Sequence, residues 1–517
     1  MPERRRGLAA WLFLCALLAL CLAHGLTVTD GLTVPPDLDA LRDIGFTQGF
    51  LDGNWFGDPS YAGTVRYYPP LFPATMALLV RLGGIGDLPG LWVQAGPFLG
   101  LLPVLAFFFF MRRLFGLTEA ACGTAVFALV NGAWSDPWVS GGYSPWLLVP
   151  VLGQAAFLAS AAWVPRLAER PGWGGGVAAG LVIGLVFLLH PVPGILLAAI
   201  AAVGTVRRRI GWLLTAGLTA ALVASVYLLP MLLMHPEGIV HRAPGGWTAE
   251  ALRPEAATAL LAVNLAWALA AAVLWRGGGR PKGTLVLLAW IAVCLAGLGR
   301  HFLCGPEASG PLVCRAGRLP VHHFHLYLQT AGACLMGAAL PLLARQMRPL
   351  LAGAGAVALL GLGVAALMNR SFDERVRDLA VFHADTHVMD VAAYRWIRDK
   401  TPPDAVFVTF EATQADAPFD AGAFAVVAAG RRLVALHALF SNPYADWSAH
   451  EAARRAAAGW LLGQSALPLG LQASHVWAIA PGTITLDATR AEPVFATQAH
   501  RIYALRCPTP AGCAASP

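Results

Sequence analysis

The segment Pro35–Pro73, PPDLDALRDIGFTQGFLDGNWFGDPSYAGTVRYYPPLFP, follows the first long apolar run of the chain and is polar, acidic and aromatic. Most of the sequence around it is apolar. Ionisable groups next to lipid have to be paired, hydrated or used, so carboxylates held there usually mark a functional site. The segment therefore predicts a functional loop at a membrane surface.

The composition places the chain among polytopic membrane proteins. Of its 517 residues, 57% are hydrophobic and only 13% are charged, whereas soluble proteins contain about 25% charged residues. The net charge of +7 does not indicate nucleic-acid binding, because the basic residues form small clusters between apolar runs. The expected partner is the lipid bilayer.

Apolar runs that could cross a bilayer recur along the chain. A span needs about twenty apolar residues, and runs near this length lie at 8–26, 90–111, 118–134, 144–162, 174–190, 192–206, 211–231, 255–275, 283–303, 324–343 and 349–367. They predict a polytopic α-helical membrane protein with about eleven transmembrane helices. The run 71–82 is too short to span, so we expect an interfacial or re-entrant helix on the outer face.

Basic clusters test the orientation of these spans. They fall in alternate loops, at 4–6, 112–113, 166–170, 207–209, 276–282 and 345–348. Cytoplasmic loops carry such clusters. We therefore expect an inner (plasma) membrane protein with a cytoplasmic N-terminus, a retained signal anchor, and an extracytoplasmic region after residue 369.

Charges and turn residues return beyond Asn369. Helical patterns at 390–400 and 449–462 alternate with strand patterns at 405–410, 432–437, 475–479 and 500–505. This alternation predicts a small α/β domain. We predict a transmembrane domain over 1–368, whose outer loop 27–89 carries the functional helix, and an extracytoplasmic soluble α/β domain over 369–517. The run 440–447, FSNPYADW, could bind sugar, but its N-P-Y sequence favours a turn.

The cysteines agree with this orientation. Five of the nine lie in apolar runs, and the other four form two close pairs in outer regions, Cys304 with Cys314 and Cys507 with Cys513. Disulfides persist in oxidising compartments, so we expect both pairs to be bridged. The sequence has no double Cys-x-x-Cys pattern that would indicate a zinc site.

The segment behind the first span begins with signals for a helix. Pro35–Pro36 stops the preceding run, and Asp37 is well placed as an N-cap. Residues Leu38–Asp52 can then form a helix that ends at Gly53. Asp52 itself, like Asp58, is expected to be a turn residue.

Three charged residues share one face of this predicted helix. Asp39, Arg42 and Asp43 stand at positions i, i+3 and i+4. Such a pair of carboxylates suits general-base chemistry, because like charges raise one pKa while the guanidinium keeps the other group ionised. A merely solvated polar face is the structural alternative. Asp39 and Asp43 are the candidate catalytic residues.

The chain resembles a known superfamily. The resemblance rests on the acidic outer loop after the first span, the Asp58-Pro59-Ser60-Tyr61 segment, the Tyr68-Pro69-Pro70-Leu71 motif, and a polytopic core that ends in a soluble outer domain. In these features it is similar to the GT-C integral-membrane glycosyltransferases, which include aminoarabinose transferase, protein O-mannosyltransferases and the oligosaccharyltransferase catalytic subunit.

This resemblance implies transfer of a hexosyl or pentosyl group, with inversion, from a polyprenyl-phosphate donor to a lipid or glycan acceptor in the cell envelope. The superfamily's base maps best onto Asp39. Asp43 remains a second candidate, because many relatives carry His or another polar residue there. Arg42 and Tyr68 are expected to contact substrate. No cofactor is expected, and a divalent metal is not favoured, since two aspartates alone make a poor cage for a hard cation.

The donor phosphate needs cationic partners as well. The last large outer loop and the start of the following span supply Arg300, Arg318, His322 and His323. Such groups at a membrane surface suit a lipid phosphate, although a single histidine there can equally cap a helix. Arg318 and His322, one turn apart, are the leading candidates.

Two other functions fit part of the pattern. A transporter would need ionisable residues inside its spans, whereas here the acids gather at the predicted outer surface. A polysaccharide ligase or polymerase would use the same donor class, but we would expect its long functional loop late in the chain.

Overall fold

The structure is a computed structural model. It describes residues 3–131, 141–167, 173–205, 210–236, 240, 269–276, 281–304, 321–346, 388–410, 420–465 and 476–506, with isolated positions between 355 and 364.

Helices dominate the described residues. The helices are α1 Glu3–Thr29, α2 Leu38–Leu51, α3 Leu71–Gly83, α4 Leu88–Leu99, α5 Leu101–Leu114, α6 Leu117–Ala125, α7 Val149–Ala161, α8 Val164–Leu167, α9 Trp173–Leu189, α10 Pro191–Thr205, α11 Ile210–Met234, α12 Pro281–Cys304, α13 Val321–Gln346, α14 Val391–Lys400, α15 Ala421–Ala428 and α16 Trp447–Leu461. A π-helix, Val126–Val130, continues α6, and a 3₁₀ turn spans Ala438–Phe440. The strands are β1 Val406–Thr409, β2 Arg432–Leu433, β3 Val476–Pro481, β4 Ala491–Ala496 and β5 His500–Leu505.

The chain divides into two compact units. The first comprises Met1–Gly31, Val93–Val226 and Trp247–Val376, and the second comprises Leu32–Trp92, Tyr227–Gly246 and Arg377–Pro517. The loop after the first span is therefore grouped with the C-terminal part of the chain. The division that the sequence predicts, at residue 368, remains a prediction.

The first unit is helical and apolar, as a membrane protein requires. Among the described residues, four helices are long and apolar enough to cross a bilayer: Gly7–Thr29, Leu88–Leu114, Ile210–Met234 and His323–Arg345. Shorter apolar helices lie at the predicted runs near 118, 144, 174, 192 and 283. The total of eleven is not tested, because parts of the predicted spans lie outside the described residues.

Aromatic side chains fill the core of the first unit. Phe107 of α5 stacks on Phe127 of the π-helix, with ring centroids 4.5 Å apart. Phe157 of α7 meets Trp290 of α12 at 4.7 Å and Tyr327 of α13 at 5.4 Å. All five rings are fully buried. Edge-to-face and offset contacts of this kind stabilise a core beyond the area they bury.

Buried amides in this unit are paired. The Asn131 Nδ2 group, directly after the π-helix, donates to Gly141 O at 2.9 Å and to Gln329 O at 3.1 Å. Gln329 Oε1 accepts from Gly141 N at 2.9 Å. Polar groups in apolar surroundings are costly unless hydrogen-bonded, so these bonds hold Asn131 and Gly141 against α13.

The second unit contains a five-stranded mixed sheet with the order β2-β1-β3-β5-β4. Strands β1, β2 and β3 are parallel, whereas β5 is antiparallel to β3 and β4. The predicted helices and strands of this region are found within a few residues. The exception is the predicted strand 432–437, which ends at Leu433 because the backbone then leads into the 3₁₀ turn Ala438–Phe440.

Helix α2 packs closely on α15 within the second unit. A Cβ atom built on Gly45 would lie 2.1 Å from the carbonyl oxygen of Val427, so only glycine permits this approach. Gly430, two residues after the end of α15, has a φ of +71° and faces Gln48 of α2. A residue with a side chain would be strained in this left-handed conformation. The packing thereby fixes where α2 presents its polar face.

Candidate active site

The predicted caps set the ends of α2. Asp37 has an extended backbone, and its Oδ1 atom accepts from Asp39 N at 2.8 Å, which makes it the N-cap. Asp52 is the C-cap, and Gly53 follows with a φ of +82°. The helix that the sequence predicts is therefore confirmed. Asp39 and Arg42 are held by its first turns.

Arg42 lies between the two candidate carboxylates. Its Nη1 atom donates to Asp39 Oδ1 at 2.6 Å. Its Nε and Nη2 atoms donate to Asp43 Oδ1 at 3.1 Å and 2.9 Å. The guanidinium carbon also lies 4.0 Å from the centroid of the Tyr68 ring, in cation–π contact. One cation thus orients both acids.

The two carboxylates differ in access to solvent. The Asp43 side chain is 1% exposed and the Asp39 side chain 43% exposed. Asp43 Oδ2 is buried and has no hydrogen-bond partner among the described residues. Burial raises the pKa of Asp43 to about 7, although Arg42 acts in the opposite direction. Of the two, only Asp39 presents an open carboxylate to a reactant.

Two further aromatic rings pack against the Tyr68 ring that covers Arg42. Phe46 stacks on Tyr68 with ring centroids 6.3 Å apart, and Tyr67 meets Tyr68 edge-on at 5.9 Å. Tyr227 donates its hydroxyl to the carbonyl oxygen of Tyr67 at 2.6 Å. Burial raises the pKa of Tyr67 and of Tyr68 well above the usual range, so both phenols stay neutral.

The loop of residues 56–66, hereafter the 56–66 loop, leads to these tyrosines. Asp58 Oδ1 accepts from Ser60 N at 2.8 Å, which is the turn that the sequence predicts, and its Oδ2 accepts from Asn442 at 2.8 Å. Burial raises the pKa of Asp58 to about 6. Arg66 closes the loop and packs its guanidinium 4.2 Å from the Phe50 ring centroid.

The far end of α2 is tied by an ion pair that the sequence did not reveal. Arg431 Nη1 donates to Asp52 Oδ2 at 2.5 Å, and Gln48 Nε2 donates to Asp52 Oδ1 at 2.8 Å. The Arg431 side chain is 3% exposed. Asp52 is therefore an anchor as well as the expected turn residue. A local pattern could not show this, because the partners lie 379 positions apart.

Comparison with solved structures identifies the fold. No family model and no curated protein matches the sequence. The chain is similar to ArnT from Cupriavidus metallidurans, a structure determined with undecaprenyl phosphate bound, with a TM-score of 0.53 and 14% identity over 98% of both chains. The chain has the GT-C fold.

A mycobacterial arabinofuranosyltransferase, AftD, is a second neighbour. Its TM-score is 0.52 and its identity 14%, over 95% of this chain and 41% of that chain. This chain thus spans less than half the length of AftD. At these identities the similarity shows the GT-C fold that the sequence resemblance predicted, and it assigns no activity.

The residues predicted to hold the donor phosphate are only partly described. His323 lies in α13, and its ring is 4.6 Å from that of His190, at the junction of α9 and α10. His322 and Arg300 lie in α13 and α12, but their side chains are outside the described part of the chain. Arg318 is also outside it, as are Cys314, Cys507, Cys513 and the side chain of Cys304, so neither disulfide is tested.

A metal ion has no suitable cage among the described residues. In that part of the chain, no group of three or more His, Cys, Asp or Glu side chains is arranged to hold one. Asp39 and Asp43 both pair with Arg42.

Proposed function

We propose that this protein is a membrane glycosyltransferase that moves a sugar from a polyprenyl-phosphate donor to an acceptor at the outer face of the inner membrane. Asp39 is the general base. The observation that carries the proposal is the asymmetric arrangement of Asp39 and Asp43 around Arg42 on α2, in which only Asp39 is open. The GT-C fold supports it.

In the proposed reaction, Asp39 accepts the proton of an acceptor hydroxyl. The acceptor oxygen attacks the anomeric carbon, a new glycosidic bond forms, and the bond between that carbon and the phosphate oxygen breaks. Polyprenyl phosphate leaves with the bonding electrons. Attack from the opposite side inverts the anomeric centre. A positioned base of this kind contributes about 100-fold to 10,000-fold in rate.

Arg42 and Asp43 have separate tasks in this scheme. Arg42 orients Asp39 through the 2.6 Å contact. Asp43, buried behind it, fixes the guanidinium through two hydrogen bonds. Since a buried carboxylate cannot reach an acceptor hydroxyl, Asp43 is a positioning residue and the base is Asp39. The Tyr68 ring supports the other face of Arg42.

The donor assignment rests on the fold and on the sequence. The similar ArnT structure holds undecaprenyl phosphate, and cationic side chains suit the phosphate of such a lipid. We assign this role to Arg318 and His322, with His323 and Arg300 in support. The proposal includes a cytoplasmic N-terminus, a transmembrane domain over 1–368 and an extracytoplasmic domain over 369–517.

The proposal is tested with purified protein in lipid nanodiscs and a panel of radiolabelled polyprenyl-phosphate sugars. We expect label to leave the lipid and enter an acceptor, with the glycosyl–phosphate bond broken. In sealed vesicles, movement of the intact labelled lipid without transfer would show a transporter instead. Polymerisation of a polyprenyl-linked glycan would show the ligase or polymerase class.

A further inference from the structure

Asn442 binds both branches of the 56–66 loop. It is fully buried. Its Nδ2 atom donates to Asp58 Oδ2 at 2.8 Å on the outgoing branch and to Val65 O at 2.9 Å on the returning branch. Its Oδ1 atom accepts from Tyr444 N at 2.9 Å. One side chain therefore joins the loop to the turn 440–446.

The loop is otherwise closed by its own backbone and by β2. Gly57 and Val65 form an antiparallel bridge, and Arg66 N donates to Phe56 O at 2.7 Å. Leu433 of β2 donates to Pro59 O at 3.1 Å and accepts from Ala62 N at 2.9 Å. The bonds to β2 fix the tip of the loop, and the two backbone contacts close its base. Asn442 adds a side-chain tie to that base, where the chain continues into the site.

A short path joins that base to the proposed catalytic carboxylate. Val65 is three residues before Tyr68, whose ring lies 4.0 Å from the Arg42 guanidinium. Arg42 in turn contacts Asp39 at 2.6 Å. Packed interiors transmit small shifts, and a misplacement of about 1 Å in an active site can cost about 100-fold in rate.

We propose that Asn442 is a positioning residue for glycosyl transfer: it holds the 56–66 loop so that Tyr68 keeps Arg42 directed at Asp39. The inference rests on the proposed function. It gives the region after residue 377 a part in catalysis, because that region supplies the partner that fixes the loop.

The alternative, in which the run 440–447 binds sugar, does not fit the same contacts. The buried amide of Asn442 is turned to Asp58 and Val65. Asp446 accepts from Ala449 N at 3.2 Å as the N-cap of α16, and Trp447 Nε1 donates to Leu436 O at 3.0 Å. These polar groups of the run bond within the fold, as the turn interpretation predicts.

A double-mutant cycle tests the path. We expect Asn442→Ala to lower kcat about tenfold or more, with the KM values for donor and acceptor changed less than about threefold. In a Tyr68→Leu background the same change should lower kcat less than about threefold, because the path is already broken. Equal losses in both backgrounds, or no loss in the first, would overturn the proposal. Asp446→Ala, which removes a nearby cap without touching the loop, should keep kcat.

A second measurement is independent of activity. Hydrogen exchange over residues 56–68 should become faster in Asn442→Ala, and also in the isosteric Asp58→Asn, but not in Asp446→Ala. Unchanged exchange in both loop variants would refute the positioning role even if the wild type proves to have another activity. Conversely, faster exchange in both loop variants, together with a wild type that transfers no sugar, would leave the loop coupling intact and reject the proposed function.

Discussion

Arg42 donates from both Nε and Nη2 to a single oxygen of Asp43, at 3.1 Å and 2.9 Å, while the other oxygen of that buried carboxylate has no hydrogen-bond partner in the described part of the chain. The buried carboxylate of Asp43 thereby fixes the orientation of the Arg42 guanidinium. Its Nη1 end remains directed at Asp39. The two neighbouring acids paired with Arg42 therefore differ in exposure: Asp43 is buried, and Asp39 is open to solvent.

The burial of Asp43 predicts a pH-dependent stability. The folded-state pKa of about 7 lies above the ordinary value of 3.8, so the folded protein binds the extra proton between these values. Stability should therefore fall as pH rises from about 4 to about 7. In Asp43→Asn this fall should be smaller, by up to a few kcal/mol.

Apparent melting temperatures of the wild type and of Asp43→Asn at pH 5 and pH 7.5 measure the effect. Asp58, whose pKa is raised to about 6, also lowers the stability as pH rises, and it does so in both proteins. If the melting temperature fell equally between pH 5 and pH 7.5 in the two proteins, Asp43 would be ionised in the folded state without cost.

The Tyr68 ring is predicted to act through its face rather than its hydroxyl. Tyr68→Phe keeps the cation–π contact with Arg42 and should retain kcat within about threefold. Tyr68→Leu removes the contact, worth about 0.5 to 2 kcal/mol, and should lower kcat by roughly threefold to thirtyfold. Steady-state transfer rates distinguish the two. If Tyr68→Phe loses as much as Tyr68→Leu, the hydroxyl is the functional group instead.

Gly45 is predicted to be intolerant of any side chain. A Cβ atom would lie 2.1 Å from Val427 O, so Gly45→Ala must push α2 away from α15. We expect a loss of about 1 to 3 kcal/mol, seen as a lower melting temperature. Gly86→Ala is the matched control, since nothing lies within 4 Å of its Cβ position. Equal stability of both variants would contradict the close packing.

Local signals in the sequence were sufficient for the helix that carries the site. Asp37 as N-cap and Gly53 after the C-cap predicted α2, and the spacing of Asp39, Arg42 and Asp43 predicted their common face. The spacing of residues in the sequence does not reveal, however, how deeply each side chain is buried. The difference in exposure between Asp39 and Asp43 arises only when the chain packs, so the sequence left the choice of base open.

Two elements were not predicted from the sequence, and each omission has a physical reason. α15, AGAFAVVA, is buried on all sides and therefore lacks the apolar periodicity of a surface helix. Its remaining signals are the cap Asp420 and Gly430. Strand β4, AEPVFA, is an exposed edge strand with Pro493, and proline argues against a strand in a sequence pattern.

Long-range pairs were beyond any local pattern. The hydrogen bond from Asn442 to Asp58 joins residues 384 positions apart. One sequence alone could identify Asp58 as a turn residue and 440–447 as a turn, but not that the two turns bind each other. The GT-C fold was predictable because it is indicated by two features of the sequence, the pattern of apolar runs and the motifs of the loop after the first span.

The most direct test of the account compares three isosteric changes on one loop helix: Asp39→Asn, Asp43→Asn and Asp37→Asn. The measurement is the single-turnover rate of sugar transfer with saturating polyprenyl-phosphate donor, at matched amounts of folded protein. Asp37→Asn is the control, since asparagine caps a helix about as well as aspartate. We predict that Asp39→Asn loses about 100-fold or more, that Asp43→Asn keeps measurable transfer, and that Asp37→Asn is close to wild type. Near-normal transfer by Asp39→Asn together with an inactive Asp43→Asn would contradict the assignment of the base.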